Sequence, residues 1–256
     1  MTVSGNSNIY LLVYVDNMLI AANSMTGIND LKKLLSKEFD MKYLGEANKI
    51  LGMEIHRKNG EVHLLQKKYI EKVVQRYGMN KCKPVTLSLT QHFRLFSLMA
   101  PQSKEKVEYM SKVPYCSAVG SIMYVMVCTG PDITQAVSVV SRFMSKPDKK
   151  YWEAIKWILK YLKGSSNVGL TFYRMRNEGF SVLGYVDSDF AGDLDRKRST
   201  TGYIFTLKSS AISWKATLQS IVALSTIEAE YMAAGEAIKE AIWLNGLVSE
   251  LSRFQH

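Results

Sequence analysis

Residues 9–22 read Ile9-Tyr-Leu-Leu-Val-Tyr-Val-Asp-Asn-Met-Leu-Ile-Ala-Ala22, two apolar runs on either side of an Asp-Asn pair. Branched and aromatic residues favour strands, and a two-residue turn of this composition joins strands in a hairpin. We therefore predict a β-hairpin with Asp16 and Asn17 as its turn. A carboxylate at a hairpin tip projects outward and could bind a metal or a substrate, although Asp and Asn are also ordinary turn residues.

Outward from this hairpin, the spacing of apolar residues predicts an alternation of strands and helices. Asn59-Gly60 separates two further apolar runs, which is a strong hairpin signal. Helices are predicted at 25–38, 66–77, 115–128, 132–145 and about 147–162, and a strand at 170–174. Gly164 is predicted to be the C-cap of the last of these helices. Residues 83–112 have weak periodicity and are predicted to form a long connecting loop.

The final third of the chain has its own pattern of three strands followed by one helix. The strands are predicted at 181–190, 202–207 and 211–215. Ser225 or Thr226 is expected to cap a long helix that extends to about Leu251, and Glu228 lies where a capping-box acid would lie. The fold class predicted from the whole pattern is α+β.

Composition and charge restrict the class of protein. The chain has 256 residues, 47% of them hydrophobic, and a formal net charge of +10. Such a composition is typical of a folded protein, and such a charge favours a polyanionic partner, most simply nucleic acid. Three scattered cysteines exclude a disulfide framework. The N-terminus resembles no signal peptide and no apolar run reaches membrane-spanning length, so we expect no membrane association and an intracellular protein, in the cytoplasm or nucleus.

Acidic residues cluster in the stretch Tyr185-Val-Asp-Ser-Asp-Phe-Ala-Gly-Asp193. Asp187 and Asp189 are two residues apart on a predicted strand and so share a face. Two ionised carboxylates on one face repel each other unless a cation lies between them, which points to a divalent metal. The alternative is that Asp189, Asp193 and Asp195 decorate a loop and pair in water with the adjacent basic run at 196–198, for little energy.

Two stretches concentrate basic charge. Residues 57–83 hold eight basic and two acidic residues, and residues 142–163 hold seven and two. Aromatic residues interleave with both, as in surfaces that bind single strands or hybrids. The candidate nucleic-acid contacts are Lys67, Lys68, Lys72, Arg76, Lys156 and Lys160. The alternative is that these lysine-rich helix faces are only solvated.

Taken in order, the motifs of this chain resemble the Pol polyprotein of copia-type retrotransposons. The resemblance is carried by the following segments: Leu11-Leu-Val-Tyr-Val-Asp-Asn-Met-Leu-Ile-Ala21, Leu51-Gly-Met-Glu-Ile55, Tyr115-Cys-Ser-Ala-Val-Gly-Ser-Ile-Met-Tyr124, Ser141-Arg-Phe143, Gly184-Tyr-Val-Asp-Ser-Asp-Phe-Ala-Gly192 and Ala223-Leu-Ser-Thr-Ile-Glu-Ala-Glu-Tyr231. It covers nearly the whole chain.

This resemblance implies three regions. Residues 1–56 would be the C-terminal part of a reverse transcriptase palm, 57–178 a helical thumb and connection region, and 179–256 the N-terminal half of a ribonuclease H-like domain of three strands and a helix. The family activities are RNA-directed DNA synthesis and cleavage of the RNA strand of hybrids. Both activities use divalent ions, here Mg²⁺, to stabilise the attacking and leaving oxygens.

The resemblance also implies the metal-binding and catalytic residues. They are Asp16 in the palm hairpin, Asp187 on the first ribonuclease strand and Glu230 on its helix, where Glu230 fits the motif better than Glu228. The family hairpin has a second Asp, and this chain has Asn17 in its place. The family's earlier palm Asp and later ribonuclease acids are expected to lie outside this chain.

We therefore expect a catalytically inactive fragment whose binding of Mg²⁺ is weak. Two alternatives remain open. One is a non-catalytic nucleic-acid-binding module that grips a duplex or an RNA–DNA hybrid. The other is a decayed product without a biochemical role, because half a ribonuclease fold leaves a sheet edge unpaired and favours aggregation. The sequence leaves the oligomeric state open.

Overall fold

A computed structural model describes residues 8–90, 93–99, 101, 103–174 and 181–253 of the chain. They fall into two compact units. One comprises the residues up to Asn48 and those from Leu244 onward, and the other comprises Lys49–Trp243. The predicted boundary between residues 178 and 179 lies outside the described residues.

The first unit contains the predicted hairpin, but its turn differs by one residue from the prediction. Strand β1 (Ile9–Tyr14) pairs with β2 (Asn17–Ala22), and Tyr14 lies opposite Asn17. The two-residue loop is therefore Val15-Asp16 rather than Asp16-Asn17. Val15 adopts a positive φ of 49°, so the backbone turns one residue earlier than turn propensity indicates. Helix α1 (Met25–Glu38) follows and confirms the predicted helix.

The second unit begins with a four-stranded antiparallel sheet. Its order is β3 (Lys49–Ile50), β4 (Met53–Lys58), β5 (Glu61–Leu65) and β6 (Leu170–Tyr173). The predicted turn between β4 and β5 is confirmed. Asn59 and Gly60 both have positive φ, 54° and 81°, as the tight hairpin turn with two left-handed residues requires.

Five helices follow β5 and form the hydrophobic core of this unit. They are α2 (Lys67–Arg76), α3 (Lys104–Ser111), α4 (Tyr115–Thr129), α5 (Thr134–Ser141) and α6 (Lys149–Ser165). Their apolar faces bury Ile122, Ile155 and Leu159 completely, together with the ring of Tyr151. The hydroxyl of Tyr115 is satisfied in this interior because it donates to the carbonyl oxygen of Val140 at 2.8 Å.

Three details of the helical prediction were wrong. The stretch 83–112, predicted as a loop, contains α3, whose N-terminus is capped by the Ser103 hydroxyl. Helix α5 ends at Ser141, four residues before the predicted end. Gly164 lies inside α6 instead of capping it, since the cap residue Ser166 keeps right-handed helical dihedrals.

A three-stranded antiparallel sheet and the last helix complete the chain. The sheet order is β7 (Val182–Asp189), β8 (Thr200–Leu207) and β9 (Ser210–Leu218), and the helix is α7 (Thr226–Arg253). The predicted side-chain cap at Ser225 is present, and Glu228 binds the amide one residue before the capping residue. Ser225 Oγ accepts from the amide of Glu228 at 3.1 Å, and the Glu228 carboxylate accepts from the amide of Leu224.

The two faces of this sheet have different neighbours. On one face, Ser213 donates to the Glu240 carboxylate of α7 at 2.6 Å. On the other, the Trp214 indole donates to the carbonyl oxygen of Met126 in α4 at 3.0 Å. Neighbouring residues of a strand point to opposite faces, so the sheet separates α7 from α4 and α5. In the described residues the fold is thus a mixed α/β arrangement of three sheets and seven α-helices.

Candidate metal and nucleic-acid sites

Asp16 lies in the two-residue loop of the first hairpin and is exposed. Its neighbour Asn17 is also exposed and begins β2. A neutral amide adds no charge to a metal site, so the hairpin tip offers a single carboxylate. The structure therefore places Asp16 where the sequence predicted, at the tip of the hairpin, without a second acid beside it.

Asp187 lies near the end of β7 and is exposed. It pairs with Gly202, which pairs in turn with Ala216 of β9. Directly paired residues share a face, and Ala216 is two residues from Trp214. Asp187 consequently belongs to the face of the sheet that packs against α4, and β7 is an edge strand of this sheet.

Glu230 lies on α7, on the other side of the same sheet. The face of α7 that packs on the sheet is marked by the buried residues Ala229, Ala233 and Ala237, and Glu230 itself is exposed. The sheet thus lies between the side chain of Asp187 and the helix that carries Glu230. The two predicted ligands therefore belong to opposite sides of this sheet.

The donor set in the described residues does not fit the divalent ions that the family implies. Two-ion catalysis needs several carboxylates around the same point. Across the described ranges, no group of three or more His, Cys, Asp or Glu side chains could hold a metal ion. We therefore assign no reaction step to Mg²⁺ in this chain.

The acids that follow Asp187 make specific contacts instead. Asp193 is buried and lies 3.5 Å from the Arg142 guanidinium, at the end of α5. Asp195 accepts from the amide of Ser97 at 2.7 Å and from its hydroxyl at 2.8 Å. Asp193 and Asp195 therefore have partners that are distant in sequence, Arg142 and Ser97, in addition to the adjacent amide of Arg196, from which Asp193 accepts at 3.1 Å.

The sequence did not predict that Arg142 forms a buried ion pair with Asp193. Burial lowers the pKa of Arg142, while the charges of Asp193, Asp189 and Asp195 act in the opposite direction. The partners in this ion pair are 51 positions apart, and nothing local in either segment predicts the contact. The available signal was the segment Ser141-Arg-Phe143, which belongs to the family resemblance and directly follows the apolar run of α5.

The candidate contacts on α2 lie on its solvent-facing side. Lys67, Lys68, Lys72 and Arg76 are all exposed, whereas Ile70, Val73 and Val74 on the opposite side are buried. Lys68, Lys72 and Arg76 follow one another at four-residue spacing and therefore lie along one line of the helix. The Lys68 ammonium has an acidic neighbour, the Glu54 carboxylate at 3.9 Å.

The candidate contacts on α6 are less accessible. Lys156 and Lys160 are half-buried, and the Lys160 ammonium lies 5.8 Å from the centre of the Trp157 ring. The Trp157 indole donates to the carbonyl oxygen of Leu87 at 3.0 Å, which fixes the ring. Helices α2 and α6 pack together, with Tyr77 and Trp152 in an edge-to-face contact at 6.2 Å.

No described helix is long and apolar enough to cross a membrane.

Comparison with known proteins places these features in a family context. Residues 1–91 match the family model described as reverse transcriptase (RNA-dependent DNA polymerase). The chain is 50% identical, over 98% of its length, to the retrovirus-related Pol polyprotein from transposon TNT 1-94 of Nicotiana tabacum, and it spans 19% of that polyprotein. Identity to the Pol polyprotein from transposon RE1 of Arabidopsis thaliana is 35%, over 96% of the chain and 16% of that protein.

A shorter relative matches over most of its own length. The putative transposon Ty5-1 protein of Saccharomyces cerevisiae is 31% identical over 91% of the chain and 73% of that protein. No solved structure matches the chain. The sequence similarity therefore extends across both compact units, while the chain spans about a fifth or less of the two polyproteins.

Proposed function

Because the chain belongs to the Pol polyprotein family of copia-type retrotransposons, we propose that it is a segment of a reverse transcriptase and ribonuclease H that catalyses neither reaction by itself. The observation that carries this proposal is the separation of its candidate acids. Asp187 and the helix that bears Glu230 lie on opposite sides of one sheet, and Asp16 has an amide as its neighbour.

The hairpin supports the absence of polymerase activity. Replacing an acid by Asn17 removes one negative charge at a point where the family mechanism holds two cations. The remaining carboxylate of Asp16 is exposed, so water screens its charge and weakens its attraction for a metal ion. A single solvated carboxylate is a poor site for Mg²⁺ at physiological concentrations.

Two assays of the purified chain test this proposal. Primer extension on an RNA template with Mg²⁺ is expected to give no template-dependent product, and a labelled RNA–DNA hybrid is expected to remain uncleaved. Cleavage that is lost in Asp187→Asn and retained in Asp30→Asn, an exposed acid on α1, would show that this chain has its own ribonuclease site. Cleavage that is equal in both variants would come from a contaminating nuclease.

A second candidate function, binding of nucleic acid, is favoured by the exposed cations of α2. Lys68, Lys72 and Arg76 form a line on a helix whose opposite side is anchored in the core, so these charges are carried on a fixed surface. Helix α6, which packs on α2, adds Lys156 and Lys160. Such a surface suits the regularly spaced phosphates of a duplex or an RNA–DNA hybrid.

The salt dependence of hybrid binding tests this second function. Each phosphate contact contributes a slope of about 0.9 to the dependence of log K on log salt. Replacing Lys68, Lys72 and Arg76 by Gln should therefore lower the slope by about two to three. The matched control replaces three exposed cations in and directly after α3, Lys104, Lys106 and Lys112, by Gln and changes the net charge equally. Equal effects of the two triple variants would mean that only net charge matters, and would exclude a defined interface on α2.

A further inference from the structure

Helix α7 has two apolar sides, and only one of them packs on the three-stranded sheet. The packed side carries the three buried alanines at 229, 233 and 237. A second apolar stripe recurs at spacings of three and four residues, and we call it the outer stripe. It consists of Ile227, Tyr231, Ala234, Ile238 and Ile242. Its four large side chains are 57–79% exposed. Apolar residues at this spacing are typical of a helix that packs against another helix.

The outer stripe is continuous and lies on the side of α7 that is turned away from the sheet. Each residue of an α-helix advances about 100° around the axis, so the outer stripe spans about 80° and is centred about 140° from the buried alanines. Between Ile227 and Ile242 no charged residue falls within this arc. The stripe is about 22 Å long, since each residue rises about 1.5 Å. A contiguous exposed apolar surface of this kind is typical of a protein interface.

The outer stripe is complementary to a second copy of itself. Its small residues lie at the centre, at Ala234-Gly235, and its large residues lie towards both ends. When two copies are placed antiparallel with their centres together, Ile227 lies level with Ile242 of the other copy, and Tyr231 lies level with Ile238. A Cβ on the central glycine would meet nothing within 4 Å, so the surface is open at the point where the two helices approach most closely. Self-complementarity is what a two-fold dimer requires.

The charges beside the outer stripe favour antiparallel over parallel pairing. Glu228 and Lys239 lie along one edge of the stripe, and Glu230 lies along the other edge. In an antiparallel pair the same edges face each other, so Glu228 of each copy lies next to Lys239 of the other. In a parallel pair opposite edges face each other, and Glu228 would then lie next to Glu230. The antiparallel arrangement therefore joins opposite charges and avoids like charges.

We propose that the outer stripe of α7 is the interface of a symmetric homodimer in which two copies of α7 pack antiparallel, with Ala234-Gly235 at the two-fold axis. The contact covers about four helical turns of each copy. An interface of this length belongs to the small class, and we expect a Kd of about 10 µM. Dimer formation goes beyond the proposed function, because neither the lack of catalysis nor hybrid binding requires it.

Sedimentation equilibrium of the full chain between about 1 and 200 µM measures the dimer directly. Ile238→Asp places a charge in the outer stripe and should raise the Kd at least about 30-fold. The matched control is Val107→Asp, a similarly exposed apolar residue on α3, which should leave the Kd unchanged. Circular dichroism checks that each variant is folded, and Ile227→Asp in the first turn of α7 replaces Ile238→Asp if the latter does not fold.

Three results of this experiment would overturn the proposal. They are a chain that stays monomeric at every concentration, which would leave the stripe for a different partner, a dimer that the stripe variants do not weaken, and equal effects of the stripe variant and Val107→Asp.

Cross-linking with a short bismaleimide tests the antiparallel geometry, in a Cys116→Ser background that removes the exposed native thiol. Ile227→Cys should cross-link to Ile242→Cys when the two proteins are mixed. It should not cross-link to itself, because two copies of position 227 are about 22 Å apart in the antiparallel dimer. Cross-linking of Ile227→Cys to itself would indicate parallel helices, and no cross-link in the mixture would place the interface elsewhere. Either result contradicts the proposed dimer.

Discussion

The ion pair between Arg142 and Asp193 is expected to hold the three-stranded sheet against α5, and Asp193→Ala tests this. Their side chains are 19% and 7% exposed, and Nη1 lies 3.5 Å from Oδ1. Removing one partner of a buried pair costs about 3–5 kcal/mol, because the other charge stays buried. Arg142 retains some solvent contact and the influence of Asp189 and Asp195. We therefore expect the lower end of this range, about 3 kcal/mol of unfolding free energy.

A double-mutant cycle separates the pair from other contacts of the two residues. Asp193 also accepts from the amide of Arg196 at 3.1 Å, and this hydrogen bond is lost in Asp193→Ala whatever happens at Arg142. Combining Asp193→Ala with Arg142→Met should reveal a coupling energy of about 2 kcal/mol. The control is Glu108→Ala in the exposed pair with Lys112, where the side chains are 74% and 75% exposed and no measurable loss is expected.

Urea unfolding provides the assay, followed both by circular dichroism and by tryptophan fluorescence. Trp214 is one of the four tryptophans and contacts α4 where the sheet packs against the helices, so part of the fluorescence signal reports on this packing. The reasoning is refuted if Asp193→Ala loses no more stability than Glu108→Ala, or if the coupling energy is zero within error.

Three further predictions concern single residues, each measured by urea unfolding. Burial raises the pKa of Tyr151 to about 12, whereas the phenol of the unfolded chain ionises near pH 10, so its contribution to the unfolding free energy should be present below about pH 10 and be lost between about pH 10 and 12. Tyr151→Phe should flatten this decline. An unchanged pH profile would exclude Tyr151 as its source. Ser225→Ala removes the cap of α7 and should cost about 1 kcal/mol; no loss would show that the cap is dispensable. A Cβ at Gly169 would lie 2.1 Å from the backbone oxygen of Leu64, so Gly169→Ala should destabilise by more than about 2 kcal/mol, whereas Gly120→Ala in the open middle of α4 should stabilise by about 0.5–1 kcal/mol. Equal effects of the two alanines would contradict this steric argument.

Local sequence signals predicted most of the elements. The turn at Asn59-Gly60, the apolar stripe of α2 and the cap at Ser225 each act over a few residues, so they can be recognised in the sequence. The one-residue error in the first hairpin has a similar local origin. Asp and Asn are both turn formers, so the sequence favoured Asp16-Asn17 as the loop. In the structure Tyr14 pairs with Asn17, and the two loop residues are Val15 and Asp16.

Long-range contacts could not be predicted in this way. Helix α3 has weak hydrophobic periodicity, and within its span only Met110 is buried. The Arg142–Asp193 pair and the side of the sheet on which Asp187 lies both depend on how distant strands and helices pack. Motif resemblance located the candidate acids in the sequence, but their separation across a sheet is a property of tertiary structure.

The most direct test of the account is binding of the purified chain to a labelled RNA–DNA hybrid at two salt concentrations, with and without Mg²⁺, while cleavage is followed in the same sample. The account predicts binding that weakens steeply with salt, as phosphate contacts require, and no cleavage under any condition. Cleavage that depends on Mg²⁺ and disappears in Asp187→Asn would contradict the central claim, because the acids described here would then suffice for chemistry.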